Sequence, residues 1–173
     1  MPARESSWRD RNTERRLSLM QVVLLEPEIP PNTGNVARLC AATNSVLHLI
    51  EPLGFEITDR QLKRVGMDYW KYLEWKQWPD WTAFQRALAP KTTLWFVECK
   101  GPKRYTEVEF GPNDCLVFGR ESAGIPEPLL HQNAETWLRI PMFNSDARSL
   151  NLGNSVSLVL YEALRQQSFP GEV

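Results

Sequence analysis

The sequence has few cysteines and histidines, and their spacing excludes several kinds of site. The three cysteines are Cys40, Cys99 and Cys115, an odd number whose spacings match no zinc-binding pattern. Each lies in an apolar stretch, so we expect buried thiols in a reducing cytoplasm. The two histidines are far apart, and His48 alternates with apolar residues in "VLHLIE", which is typical of a structural side chain. The sequence therefore predicts no metal site and no histidine-based nucleophile.

Long apolar runs and a strong excess of one charge are also missing. No apolar run approaches the length that spans a bilayer, so we expect no membrane association. Residues 1–18 carry charges of both signs and lack the apolar centre of a signal peptide, which favours a flexible polar tail. We expect residues 19–173 to form one domain of ordinary size, located in the cytoplasm.

The net charge of -1 gives no support for a dedicated nucleic-acid binder, because such proteins are often basic. RNA binding would therefore need a local basic patch. Two clusters are candidates, namely Arg60, Lys63 and Arg64, and the loop residues Lys100, Lys103 and Arg104. A solvated surface explains either cluster equally well, so composition leaves RNA binding open.

Short apolar runs alternate with helical patterns along the chain. The runs are rich in Val, Leu, Ile and aromatic residues and cover 20–26, 46–51, 93–98, 114–119 and 137–142. Such continuous runs are typical of strands buried on both faces. The helical patterns lie near 33–44, 80–88, 126–131 and 150–167. The alternation predicts an α/β fold with a mostly parallel sheet flanked by helices.

A Trp-rich segment at 68–81, "DYWKYLEWKQWPDW", stands apart from this pattern. We favour a connecting strand with packing aromatics. A surface that stacks RNA bases or pairs subunits is the less favoured interpretation.

Glycines and small polar residues follow four of the predicted strands. The segments concerned are "EPEIPPNTGN", "CKGPKR", "GRESAGIPEPLL" and "FNSDARSLNLGNS". In an open α/β sheet, ligands bind beyond the carboxyl ends of the strands. We therefore expect one ligand site where these four loops converge.

The first of these loops leads into a helix that carries Asn32 and Arg38. Helical spacing buries Val36 and Cys40 and turns Arg38 to the opposite side. Asn32 and Thr33 suit helix N-cap positions, and capping alone could explain them. Alternatively, the proline-rich turn holds Asn32 and Arg38 at the mouth of the site, where the planar fork of Arg suits a phosphate. The residues leave both interpretations open.

Two later loops carry further polar candidates. Glu121 lies in a tight turn between Gly119 and Gly124, where a carboxylate either caps nearby amides or orients a ligand. The last helical pattern is amphipathic, and its start holds more side-chain oxygens and amides than one cap requires. These residues are Ser149, Asn151, Asn154 and Ser155. The surplus suggests contact with a phosphate or a ribose.

Familiar nucleotide and hydrolase motifs are absent. No Gly-rich dinucleotide fingerprint follows the first strand, and no phosphate-binding loop of the Walker type exists. There is no serine-elbow motif and no paired-carboxylate motif of the usual hydrolases. The residues by themselves predict an α/β protein with one polar, metal-free ligand site, and they do not name the ligand.

The segments "EPEIPPNTGNVARLCAAT", "FGRESAGIP", "RIPM" and "RSLNLGNSVSLVLYEALRQ" together resemble the motifs of the SPOUT RNA methyltransferases, also called the TrmH-like or trefoil-knot superfamily. The first segment is similar to that of the TrmL subgroup, the tRNA wobble-nucleotide 2′-O-methyltransferases. The resemblance implies the SPOUT fold, an α/β sheet whose C-terminal part is tied in a deep trefoil knot, an exception to the usual topology. It also implies a homodimer in which the partner subunit completes each site.

The resemblance further implies the chemistry and its residues. The methyl donor would be S-adenosylmethionine, used without a metal, and the substrate would be the ribose 2′-hydroxyl of the wobble pyrimidine in the anticodon stem-loop of leucine tRNAs. Arg38 would bind the phosphate beside the target ribose. The positions that match the catalytic residues of the family are Asn32, Arg38, Glu121, Ser149 and Asn151. Those that match its donor-binding residues are Val97, Gly101, Gly119, Ile140, Met142 and Ser149.

Three alternatives accompany this interpretation. A related enzyme could act on another tRNA or rRNA position. A knotted module that binds RNA without methylating it would fit the low net charge, although the full set of matched polar residues argues against it. A different nucleotide-binding enzyme is disfavoured by the missing glycine fingerprint.

Overall fold

The computed structural model describes residues 20–57 and 68–173. Strands in this part are β1 (Gln21–Leu25), β2 (Val46–Ile50), β3 (Trp75–Trp78), β4 (Leu94–Val97), β5 (Lys103–Arg104), β6 (Cys115–Phe118) and β7 (Trp137–Arg139). The α-helices are α1 (Pro30–Ala42), α2 (Trp81–Ala87), α3 (Glu127–Gln132) and α4 (Leu152–Gln166). Short 3₁₀ helices cover Asp68–Tyr72, Tyr105–Glu107 and Ala134–Thr136. All the strands and helices predicted from the apolar and helical patterns are confirmed, with small shifts at their ends.

The strands form one sheet in the order β3-β2-β1-β6-β4-β7-β5, and all neighbouring strands run parallel. This confirms the predicted α/β fold. Strand β3 lies in the Trp-rich segment, where the rings of Trp70 and Trp75 pack with centroids 4.8 Å apart, as the favoured interpretation expected. Strand β5 has two residues, too few to leave a pattern in the sequence. The trefoil knot stays a prediction.

Successive strand residues point to opposite faces of the sheet and enter separate cores. Along β1, Val22 and Leu24 pack in the core that includes residues of α1 and α4, whereas Val23 and Leu25 pack with residues of α2 and α3. Because helices cover both faces, a strand needs apolar residues at every position. This arrangement explains the nearly continuous apolar runs. None of the helices within residues 20–57 and 68–173 combines the length and the apolar character of a membrane span.

Helix α1 begins at Pro30, earlier than its pattern indicates. Proline suits the first turn of a helix, since the N–H that it lacks would have no helical partner there. The N-cap position belongs to Ile29, whose side chain makes no capping hydrogen bond. Of the two interpretations left open for Asn32 and Thr33, N-capping is therefore wrong, because both residues lie inside the first turn and are buried.

The prediction of three buried thiols holds for two of them. Cys40 and Cys115 are buried, and burial raises the pKa of the Cys115 thiol to about 12. Cys99 is exposed, so the prediction is wrong there. The reason is that β4 ends at Val97, which leaves Cys99 in the following loop.

The basic clusters fall in different parts of the molecule. Residues 1–18 and the cluster Arg60, Lys63 and Arg64 lie outside the described residues. In the second cluster, Lys103 forms a salt bridge with Glu135 at 3.0 Å and Arg104 one with Glu107 at 3.6 Å. Carboxylates therefore partly neutralise this cluster, which weakens it as a patch for RNA.

His48 is a buried side chain on β2, as the sequence predicted. Its Nδ1 accepts a hydrogen bond from the indole Nε1 of Trp78 at 3.0 Å, and its Nε2 lies 2.9 Å from Oε1 of Gln21. An indole N–H only donates, so the proton of the neutral ring sits on Nε2 and is donated to Gln21. Burial lowers the pKa of His48 to about 4, and the nearby charge of Lys76 acts in the same direction.

We expect the protein to lose stability as the pH falls from 6.5 to about 4 because of His48. In that window the unfolded chain binds a proton on this side chain and the folded protein excludes it. The free energy of unfolding therefore falls by up to about 3 kcal/mol, and the contribution is fully present above the window. Urea unfolding of wild type and His48→Asn across the window measures the effect, and the variant should lose less stability.

His131→Asn is the matched control, since it removes the exposed histidine. It should follow the wild type at each pH. Equal losses for wild type and His48→Asn would contradict the prediction.

Candidate active site

A cavity of about 680 Å³ opens beyond the carboxyl ends of β6, β4 and β7. This volume lies within the range of small-molecule sites. Its walls include residues of the segments that follow β1, β4, β6 and β7, and these four strands are successive neighbours in the sheet. The predicted convergence of four loops is confirmed.

Glu28 and Glu121 hold the loop after β1 against the loop after β6. The Glu121 carboxylate accepts hydrogen bonds from the backbone N–H groups of Glu28 and Ile29, at 2.8 and 3.2 Å. In return, the Glu28 carboxylate accepts from the backbone N–H and the hydroxyl of Ser122, at 2.9 and 2.7 Å. Each loop thus binds the other through a carboxylate and backbone amides.

Glu121 also fixes a chain of side-chain amides that reaches helix α4. Its Oε1 accepts from Nδ2 of Asn32 at 3.1 Å, and Oδ1 of Asn32 accepts from Nδ2 of Asn151 at 2.9 Å. Oδ1 of Asn151 then accepts from the backbone N–H of Gly153 at 2.9 Å and caps α4. Because an ionised carboxylate only accepts, the direction of each bond follows from the first. We call this group the loop network: Glu28, Asn32, Glu121, Ser122 and Asn151.

The contacts of the loop network choose between interpretations that the sequence left open for Glu121, Asn32 and Asn151. Glu121 caps nearby amides, as one of its two interpretations stated. Asn32 is 8% exposed, and its side chain links two other elements instead of capping its own helix. Asn151 is the N-cap of α4 and has a second contact as well, which agrees with a surplus of polar groups at this helix start.

Most of the positions matched to donor binding line the cavity. They are Val97, Gly119, Ile140, Met142 and Ser149. Gly101 is not among the lining residues; a Cβ there would lie 2.2 Å from the backbone carbon of Leu138. The carbonyl of Gly101 also accepts a hydrogen bond from the Arg139 guanidinium at 2.7 Å. Close packing against β7 therefore explains this glycine without a ligand.

The structure brings together four of the five positions matched to catalysis. The four that line the cavity are Asn32, Glu121, Ser149 and Asn151. Arg38 is exposed on α1 and does not line the cavity of its own chain. It follows Asn32 by six residues, which places it about 9 Å further along the helix axis.

Glu98 is a cavity residue that the sequence analysis missed. Its carboxylate accepts from the backbone N–H of Cys99 at 2.7 Å and from that of Ile125 at 3.2 Å, so it joins the end of β4 to the loop after β6. Gly124 has a φ of +67°, and a Cβ there would lie 2.1 Å from Oε2 of Glu98. The glycine was visible in the sequence, but its carboxylate partner directly follows β4, 26 residues earlier in the chain, and left no local signal.

Trp137 is a second missed residue of the cavity wall. Its indole Nε1 is buried and finds no hydrogen-bond partner among the described residues. Buried polar groups are usually paired, so an orphan donor in a cavity wall suits a ligand that brings an acceptor.

Hydrogen bonds keep the Glu28 carboxylate ionised, and burial keeps the Cys99 thiol protonated. The hydroxyl and the backbone N–H of Ser122 lower the pKa of Glu28, and the charge of Arg120 adds to the effect, so the carboxylate stays ionised. Partial burial raises the pKa of the Cys99 thiol, and neighbouring Glu98 does the same. A neutral thiol is a poor nucleophile, which argues against covalent chemistry at Cys99.

Comparisons with known proteins agree with this architecture. The model of the SpoU rRNA Methylase family matches residues 19–161. A tRNA (cytidine(34)-2′-O)-methyltransferase of Aeromonas hydrophila is 46% identical over 156 residues, which cover 90% of this chain and 99% of that protein. A solved structure described as "structural insights into the 2-OH methylation of C/U34 on tRNA" is 41% identical with a TM-score of 0.82, covering 87% of this chain and 97% of the other.

A more distant structure shares the fold. The SpoU methyltransferase AviRb of Streptomyces viridochromogenes, solved in complex with the cofactor AdoMet, is 23% identical with a TM-score of 0.75, covering 90% of this chain and 63% of that chain. The family model matches most of the chain, and the protein therefore belongs to the SpoU rRNA Methylase family.

Proposed function

We propose that the protein methylates the 2′-hydroxyl of the ribose at position 34 of tRNA, with S-adenosylmethionine as the donor and leucine tRNAs as substrates. Family membership and the activity named for the Aeromonas hydrophila relative at 46% identity support the reaction and the position. The observation that carries the proposal is the loop network, which gathers the matched residues Asn32, Glu121 and Asn151 along one wall of the cavity.

The residues of the cavity suit S-adenosylmethionine. Val97, Ile140 and Met142 offer apolar surface for an adenine ring, and the orphan N–H of Trp137 offers a donor. The carboxylate of Glu98, in the same wall, favours a cationic ligand. When bound, the donor would supply an electrophilic methyl group on a positively charged sulfur. That the reaction needs no metal remains a prediction.

Orientation of the ribose is then the main task of the protein, because fixed geometry can supply much of the rate of a displacement. Glu121 acts as a positioning residue, since its carboxylate already accepts three hydrogen bonds from the loop after β1 and from Asn32. Arg38 would bind the phosphate beside the target ribose. A guanidinium stays protonated at ordinary pH, so we assign assistance with the hydroxyl proton to the RNA phosphate and not to Arg38.

The position of Arg38 supports a homodimer in which the partner subunit completes each site. Arg38 lies outside the cavity of its own chain, on the exposed side of α1. Helix α4 packs beside α1 and exposes Leu158 and Tyr161, at 44% and 50%. Such apolar surface suits a second copy of the chain in a two-fold pairing. We propose that this face pairs two subunits and that Arg38 serves the cavity of the partner.

Methyl transfer from labelled S-adenosylmethionine to unmodified tRNA tests the function, with the labelled nucleotide mapped afterwards. We expect label at the wobble ribose of leucine tRNAs, and a loss of about 100-fold or more in kcat/KM for Arg38→Ala. Arg86→Ala, which changes an exposed arginine on α2, should retain activity. Label at another nucleotide would show that the enzyme methylates that nucleotide instead of position 34. RNA binding without any transfer, with tRNA lacking or carrying neighbouring modifications, would favour the non-catalytic module.

Asn151 offers a way to separate the network from simple helix capping. Asn151→Asp keeps an oxygen that caps Gly153, and a negative charge at a helix N-terminus is favourable. The variant loses the amide that donates to Asn32. We expect stability within about 1 kcal/mol of wild type and a fall in kcat of about 10-fold or more.

Asn151→Ala removes both contacts and should lower stability and activity together. Thermal unfolding and steady-state kinetics measure the two properties. Full activity of Asn151→Asp would show that the link to Asn32 is dispensable.

Mixing two impaired variants tests whether Arg38 acts across the dimer. A heterodimer of Arg38→Ala and Asn151→Ala contains one cavity with an intact Asn151 that faces an intact Arg38. After unfolding and refolding the two variants together in equal amounts, we expect about a quarter of wild-type activity, since half the dimers are mixed and each has one complete site. If Arg38 served its own chain, the mixture would be no more active than the two variants refolded separately. Mass measurement by light scattering establishes the dimer independently.

A further inference from the structure

Phe143 is an exception among the phenylalanines of this chain. Its exposed fraction is 100%, whereas Phe84, Phe96, Phe110 and Phe118 are buried. Scattered exposed apolar residues are ordinary, but a fully exposed aromatic ring at the edge of a ligand cavity is a common feature of binding surfaces. The question is what covers the ring when the protein works.

The loop that carries Phe143 has internal structure and borders the cavity. Directly after Phe143, the side chain of Asn144 accepts the backbone N–H of Asp146 at 2.9 Å, and its carbonyl accepts that of Ala147 at 3.2 Å. The carbonyl of Arg148 also accepts a hydrogen bond from Cys99 at 3.4 Å. The residues on either side of this turn line the cavity, namely Met142 before it and Arg148, Ser149 and Leu150 after it. The ring therefore projects from a closed turn on the cavity rim.

The chemistry of the rim favours a nucleic-acid base over a second protein chain as the occupant. Arg148 and Lys100 are exposed residues of the cavity that this turn borders, and surfaces that bind single-stranded nucleic acid typically combine cations with aromatic rings. A subunit interface instead needs a broad apolar core. The residues after Phe143 are Asn144, Ser145 and Asp146, so the ring has no apolar neighbours along that turn.

We propose that Phe143 is a binding residue that stacks on an unpaired base of the RNA loop that presents the target ribose. The inference rests on the proposed function. Stacking would hold the base at the rim, so that the ribose beside it faces the loop network. An aromatic ring suits this contact because each base offers a flat π-face, which an aliphatic side chain matches poorly.

Fluorescence anisotropy of a labelled anticodon stem-loop RNA tests the contact without turnover. The full chain is titrated in the presence of S-adenosylhomocysteine, which carries no methyl group to transfer. We expect the Kd to rise between about 5-fold and 150-fold for Phe143→Ala, from the usual worth of one base stack. Phe143→Tyr should bind like wild type, and Phe143→Leu should resemble Phe143→Ala.

Phe169→Ala is the matched control, because Phe169 is a partly exposed ring beyond the far end of α4. It should leave the Kd unchanged. Affinity for S-adenosylhomocysteine and the mass of the protein in solution should be the same for wild type and each Phe143 variant. A change in either would overturn the proposal in favour of a donor contact or a subunit contact.

Stem-loops that lack the base at position 34 or at one of its neighbours identify the stacked base. When the RNA lacks the stacked base, wild type and Phe143→Ala should bind it with equal affinity. Equal affinity of wild type, Phe143→Ala and Phe143→Leu for the intact stem-loop would overturn the proposal, and so would full recovery by leucine. Wild-type protein that binds the stem-loop but transfers no methyl group would refute the proposed function and leave the stacking result valid. Absence of binding by the wild type would overturn both.

Discussion

The hydrogen bonds exchanged between Glu28 and the loop after β6, and between Glu121 and the loop after β1, are the interaction on which the site depends. Helix α1 has no side-chain cap of its own and no acidic residue in its first turn, where two prolines lack N–H groups. Glu121 supplies the missing carboxylate from another element, at the helix end where negative charge is favourable. The backbone N–H groups of Glu28 and Ile29, just before the prolines, therefore bind the carboxylate of Glu121, which is distant in the sequence. This contact holds the start of α1 in place.

The sheet order explains why this contact can form. Strand β1 lies between β2 and β6, so the chain on its two sides comes from distant parts of the sequence. Ligands of open α/β sheets bind at such points, where the strand order reverses and the loops diverge. Here β6, β4 and β7 continue the sheet, and their loops complete the cavity. The loop network joins the loop after β1 to the loop after β6 and to α4, and it thereby closes the cavity wall between the two halves of the sheet.

Much of the fold and several site positions could be predicted because they leave periodic or local signals. Apolar runs reveal strands buried on both faces, and the amphipathic pattern reveals α4. The capping role suggested for Asn32 and Thr33 and the burial of Cys99 were wrong, because the prolines move the start of α1 ahead of the first two and the end of a strand exposes the third. Glu28 and Glu98 escaped notice because their partners lie far along the chain. The resemblance supplied the matched residues, and the structure supplied the contacts between them.

The sequence separation of these contacts has a consequence for how the protein folds. Glu28 and Glu121 are joined across 93 residues, and Asn32 and Asn151 across 119. Contacts of such separation require long loops to close and form slowly. Strands β1, β2 and β3 are close in sequence and can pair early, whereas the cavity wall requires α4 to be in place. A chain still emerging from the ribosome thus has much of its sheet before it has any site, so ligand binding reports the completion of folding.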